Sequence, residues 1–416
     1  MLRRVLPALG LGFVLLVLAA GPASAHAELE STDPAAGAVL PRPPEQVRLR
    51  FTESVTTPTG GVRVIAPDGT RVDPLSVRAR GALVTVELPP VLARGSYLVV
   101  WRVVSDDSHP VAGSFSFAVG ERSAVPSASA PSAPRGLSVA LGVLRWLGFV
   151  GAALAIGGLA YAVWCRPGPS LVGLRVTGAL LVAGSAAVSL LVKGPYDAGL
   201  GWGALGHGDL MEDVLGTTYG RATLTRLVLA ALLAALALVE TRLSTGDLAL
   251  AGGVLAVCLA GSFALAGHAA AGRLRPLALV SESVHVLAMS VWVGGLVALV
   301  ATARASEARQ AVERFSRVAL TCLAALALTG LFQAWRQVGS FAGLTTTSYG
   351  HLLVVKTGLV VMTLAVAAGT VGLVRRRGPL ASIRQSVALE LVLGSAVLAV
   401  TAGLVATEPA RSVLER

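Results

Sequence analysis

The chain has 416 residues, of which 54% are hydrophobic and only 14% charged, too little charge to cover the surface of a soluble protein, so several membrane spans are expected. Its formal net charge of +11 comes from arginines scattered between apolar runs, with no basic stripe interleaved with aromatics; this argues against a nucleic-acid partner and for positive loops flanking spans. Cys165, Cys258 and Cys322 all lie in or beside apolar runs, contain no CxxC pair and supply no disulfide framework.

Residues 1–25 have the three parts of a secretory signal: Arg3 and Arg4, the apolar run Leu11–Ala20, and the small-residue cleavage site Ala23-Ser24-Ala25. Cleavage there leaves His26 as the first residue, with a free α-amine and an imidazole on one amino acid. Residues 26–120 then change character. Val47–Phe51, Val62–Ile65, Val84–Leu88, Tyr97–Trp101 and Gly113–Phe117 alternate with period two between turns such as Pro67-Asp68-Gly69, which predicts a small all-β sandwich or barrel. Residues 121–136 form a Ser/Ala/Pro linker without the large apolar residues needed to fold.

From residue 137 the sequence predicts an all-α polytopic membrane bundle of about eight helices. They lie near 137–164, 171–192, 221–240, 248–267, 277–301, 315–336, 350–374 and 385–406, each about 20 residues or more. Residues 407–416 are a tail. With 26–136 on the extracytoplasmic face of a cytoplasmic membrane, the dense arginine clusters at 304–317 and 375–377 fall inside. Outer loops would then carry Lys193, Arg221, Arg226, Arg273, Arg275 and Arg336.

The β domain has two histidines, His26 and His109. Asp107 and His109 are two apart, so in extended chain their side chains share a face. With His26 they offer an amine, two imidazoles and a carboxylate, a nitrogen–oxygen set suited to Cu(II). In span five, Glu282, His285, Met289 and Trp292 are spaced 3, 4 and 3 apart on one helical face, with His285 roughly 12 Å below the outer surface. His268 is expected at the outer end of span four, His351 at the outer start of span seven, and His207 in the outer loop 193–220. An ionisable residue inside a span usually faces the bundle interior. Lys356 is expected to pair with an acid or to snorkel, and Glu390 is either its partner or part of an inner gate.

His26–Leu40, Val47–Phe51 and Val100–Phe117 together resemble the CopC family of copper-binding proteins over nearly all of 26–120. The resemblance implies a cupredoxin-like (immunoglobulin-like) β-sandwich holding Cu(II) through His26, Asp107 and His109. The Met-rich Cu(I) site of some members is not expected, since the chain's methionines, Met1, Met211, Met289 and Met362, all lie elsewhere. Ala266–Ala270, Val284–Leu296, Tyr349–His351 with Lys356, and Val387–Glu390 resemble the CopD family over most of 255–405, and spans one to three match it only in character. The whole chain is thus similar to the YcnJ-like CopC–CopD fusions. That resemblance implies copper uptake or copper tolerance, and the outer clustering of histidines in both domains points to copper capture outside coupled to transport, in the direction of uptake. The membrane site would be formed by His268, His285, Met289 and Glu282, with His351 a further candidate. Other readings are copper sequestration without transport, a haem-bearing bundle with His268 and His285 as ligands that reduces copper, and an oxygen-activating copper enzyme. No P-loop, other nucleotide-binding signature or serine–histidine–acid set is visible, so neither a nucleotide nor a catalytic activity is expected.

Overall fold

Strands and helices below come from a computed structural model that describes residues 27–106, 108–128, 132–165, 171–272, 274–302, 308–376 and 380–414. The alternating runs become ten strands: β1 (Leu29–Asp33), β2 (Val39–Leu40), β3 (Gln46–Phe51), β4 (Val55–Thr56), β5 (Val62–Ile65), β6 (Arg71–Val72), β7 (Ser76–Arg80), β8 (Leu83–Glu87), β9 (Gly95–Ser105) and β10 (Pro110–Val119). One sheet runs β1-β3-β8-β7; the other runs β2-β10-β9-β5-β6, with β4 also on β9. The register sets Val47 opposite Val86 and Leu49 opposite Val84, so the apolar half of each alternation faces the other sheet while Arg48 and Arg50 face out. Phe51 meets Trp101 edge to face, with centroids 5.2 Å apart. Trp101 lies opposite Gly113 on β10, where a Cβ would come within 2.5 Å of the indole. Only glycine lets this ring into the sheet face.

Strand β9 is buried along its whole length. Its inward residues, Tyr97, Val99, Trp101 and Val103, belong to the sandwich core. On the opposite face, Ser96 is held by Ser123 through three hydrogen bonds of 2.8–3.0 Å, so the first part of the predicted linker lies along the sandwich. Arg102, further along that face, turns toward the membrane domain.

Among the described residues eight helices are long and apolar enough to cross a membrane. They are α1 (Arg135–Trp164), α2 (Val172–Ala198), α4 (Thr218–Val239), α5 (Thr245–Ala264), α6 (Arg275–Thr302), α7 (Ala308–Val338), α9 (Ser348–Arg375) and α10 (Leu380–Ala406). Short helices α3 (Gly208–Gly216), α8 (Phe341–Thr346) and α11 (Ala410–Leu414) lie between or after them. Helix α2 runs six residues past the expected boundary at 192, because Lys193 and Asp197 pair one turn apart inside it and Gly199, in the left-handed conformation (φ 69°), ends it. A π-turn over Ala153–Gly157 interrupts α1. There its backbone meets α6 so closely that a Cβ on Gly294 would fall 1.7 Å from the Ala153 carbonyl, the kind of approach that small residues permit between membrane helices. Arg175 of α2 forms a buried ion pair with Glu240 just beyond α4.

Candidate functional site

The sandwich sits on the end of the bundle where α2, α5, α7 and α10 finish. Arg102, 7% exposed, donates from Nε to the Asp197 carbonyl (2.5 Å) and from a terminal nitrogen to the Tyr196 carbonyl (2.9 Å). These carbonyls lie at the end of α2, where a cation is favoured. Burial pushes the Arg102 guanidinium below its ordinary value, and Asp197 opposes that shift. On the other side of the contact, Lys193 bonds Asp197 at 2.5 Å and donates to the Ser108 carbonyl at 2.9 Å. Asp213 of α3 accepts from both the backbone N–H and the hydroxyl of Thr59, each at 2.7 Å.

Ser108 has φ of 70°, a left-handed conformation that costs a serine about 1–3 kcal/mol. The turn it makes is closed by Ser108 N–H to Ser105 O (2.9 Å) and Ser105 N–H to His109 O (3.0 Å). The Lys193 ammonium, from the membrane domain, holds the carbonyl of that residue. The ring of His109 is fixed in the same way, since its Nε2 lies 3.1 Å from the Val405 carbonyl at the end of α10. A carbonyl only accepts, so Nε2 carries the proton and Nδ1 the lone pair.

His109 also stacks on His268, with centroids 4.8 Å apart and planes at 7°. His268 belongs to a 3₁₀ turn after α5, is 6% exposed and meets the Tyr349 ring edge-on at 6.4 Å. Two terminal nitrogens of Arg336 donate to its carbonyl, at 3.0 and 2.9 Å, and one of them also donates to Ala271 O. Below it opens a cavity of about 930 Å³, within the range of ligand-binding cavities. His268, Glu282, His285, Met289, Trp292 and Lys356 all line it. Thr329 donates its hydroxyl to Ala325 O at 2.6 Å, so its oxygen accepts from His285 Nδ1 at 2.8 Å. The lone pair of His285 is therefore on Nε2.

His26, Asp107 and the signal segment 1–25 lie outside the described residues. His268, His285, Met289 and Glu282 share one cavity. Among the described residues, however, no three of His, Cys, Asp and Glu converge on a point that could hold a metal ion, so the expected membrane set shares the cavity wall without gathering in one centre. His351 is a correction. It is exposed, does not line the cavity, and its Nε2 donates to Thr345 O at 2.8 Å, back toward the turn that precedes α9. His207 is exposed ahead of α3. Lys356 interacts with Glu282 across the cavity. Glu390 instead accepts from Thr370 at 2.5 Å, fourteen residues, or about 21 Å of helix, further along α9. Lys193, Arg226 and Arg336, expected in outer loops, are helical residues. Sequence reasoning missed Arg102, Tyr349, Thr329 and the Lys193–Asp197 pair. The pair carried the plainest sequence signal, two opposite charges four residues apart.

Residues 29–120 match the model of the CopC domain, 136–276 the model described as Copper resistance protein D-like, N-terminal domain, and 309–404 that of Copper resistance protein D. Spans one to three therefore carry a family match of their own. The chain is 29% identical over 406 residues to Copper transport protein CutJ of Bacillus subtilis (strain 168), covering 92% of this chain and 74% of that protein. It is 34% identical over 115 residues to Copper resistance protein C of Pseudomonas syringae pv. tomato, covering 26% and 90%. Among solved structures, that of CopC from Methylosinus trichosporium OB3b is 27% identical, covers 24% of this chain and 97% of its own, and has a TM-score of 0.21.

Proposed function

We propose that the chain, which joins a CopC domain to CopD-like membrane regions, is a copper transporter that captures Cu(II) on the extracytoplasmic side of the cytoplasmic membrane and takes it up. In this reading, residues 1–25 are removed, and His26, Asp107 and His109 hold the ion. The amine, imidazole and carboxylate donors suit Cu(II). The cargo then passes from His109 to His268 and into the cavity, where His285 Nε2 and the Met289 thioether are the next donors. A thioether and an imidazole are acceptable to Cu(I) as well.

The observation that carries this reading is the face-to-face contact of His109 with His268 over the cavity (4.8 Å). It joins the capture turn to the membrane passage without a gap to diffuse across. Arg314 and Arg317 in the first turns of α7 and Arg376 just past α9, at the opposite end of the bundle, support the orientation. The test is copper accumulation by cells expressing His26→Ala, His268→Ala or His285→Ala, each expected to take up several-fold less than wild type. Accumulation equal to wild type in all three would overturn the reading, and greater accumulation would reverse the direction of transport.

A further inference from the structure

We propose that the cavity also contains a binding site for an amphipathic anion, a phosphate or carboxylate head on an apolar body, built by Arg145 of α1 and Arg226 of α4. Both line the cavity. Arg145 lies ten residues into α1 and Arg226 eight into α4, about 15 Å and 12 Å of helix from the outer ends of their helices. Arg226 is 9% exposed.

Their protein contacts are few and neutral. Arg145 donates one terminal N–H to the Ala402 carbonyl at 3.0 Å. Arg226 donates to Ser262 Oγ at 3.3 Å and Ser262 O at 3.0 Å, and its guanidinium lies 3.9 Å over the Phe263 ring. Each guanidinium has five N–H donors, so most of the fork is unused. The two cations also repel each other. Among the described residues no carboxylate pairs with either. Two buried acids of the domain are engaged elsewhere, Asp197 by Lys193 and Glu282 by Lys356. Buried charges in proteins are paired, and charged groups in membrane spans mark sites of function. Two adjacent forks without an acid match the geometry of phosphate or carboxylate recognition. Leu141, Leu144 and Phe149 beside them leave the rest of the ligand an apolar surface.

The experiment uses the full purified chain in nanodiscs. Wild type is expected to retain one phosphatidylglycerol in preference to phosphatidylcholine by tenfold or more on native mass spectrometry, and Arg145→Gln/Arg226→Gln to lose the preference. Ser185→Asp is the second variant. The Ser185 Oγ is 3.3 Å from where a Gly148 Cβ would sit, and Phe263 is 3.5 Å from the same point, so the new carboxylate reaches this wall and takes the ligand's place. It is expected to melt at or above the wild-type temperature while losing the lipid preference, which separates loss of the site from misfolding. Stabilisation by inorganic phosphate without lipid selectivity would uphold the site with a free anion as its occupant. Equal retention of both lipids with no effect of phosphate, or a phosphatidylglycerol preference that survives in both variants, would overturn it.

Discussion

Replacing Arg102 with methionine keeps the apolar stem and volume of the side chain but removes both hydrogen bonds to the carbonyls that end α2 (2.5 and 2.9 Å). A hydrogen bond to a charged group contributes about 1.5–3 kcal/mol. Water reaches those carbonyls once the sandwich lifts, so the lower end applies to each. The docking free energy should then fall by about 3 kcal/mol, close to a hundredfold in the docking equilibrium. The linker keeps the sandwich at millimolar effective concentration, so the variant should exchange between docked and free positions without leaving the bundle. Spin labels at Val91, 84% exposed on the sandwich, and Leu205, 39% exposed beyond α2, report this by pulsed dipolar spectroscopy. Wild type should give one narrow distance and Arg102→Met a broad second population. A distribution in the variant as narrow as in wild type would show that the carbonyls at the end of α2 do not hold the sandwich.

Thr329→Val leaves the His285 Nδ1–H without its acceptor, a loss of about 1–3 kcal/mol, and copper uptake should fall roughly 5- to 100-fold while Thr329→Ser preserves it; uptake unchanged in the valine variant would remove Thr329 from the passage. One residue inserted between Ala25 and His26 separates the amine from the imidazole. Since losing only an outer hydrogen-bond partner weakens a metal site 10–100-fold, Cu(II) affinity of the full chain should drop about 100-fold or more, and equal affinity on titration would exclude the terminal chelate.

Period-two alternation in 47–117 and runs of about 20 apolar residues after 137 were enough to read both layers of the fold, because each pattern is written in side chains close together in the chain. Helix ends were less legible. Lys193-Gly-Pro looks like a terminus, yet the pairing of Lys193 with Asp197 carries α2 past it. The Glu282–His285–Met289–Trp292 stripe was readable because helical spacing alone puts all four on one face, and that face proved to line the cavity. His351 has no such stripe. Its orientation depends on how α9 is rotated against α10 and α7, and nothing local in Tyr349-Gly-His351 encodes that.

The contacts that place the sandwich belong to a different class. Arg102 reaches carbonyls 94 and 95 residues away, Lys193 a carbonyl 85 away and His109 one 296 away. In each the acceptor is backbone, which every residue but its local conformation has in common, so no residue type at 108, 196 or 405 could announce it. The side chains half-announced themselves: Arg102 falls on the outward half of the β9 alternation, and Lys193 sits in an apolar run. Their partners became available only because α2 and α10 end at the same level of the bundle. The tautomer of His109 is therefore a property of the assembled chain. The identity of the side chain is written at position 109, while the nitrogen that carries its proton is decided by the end of a helix almost three hundred residues later.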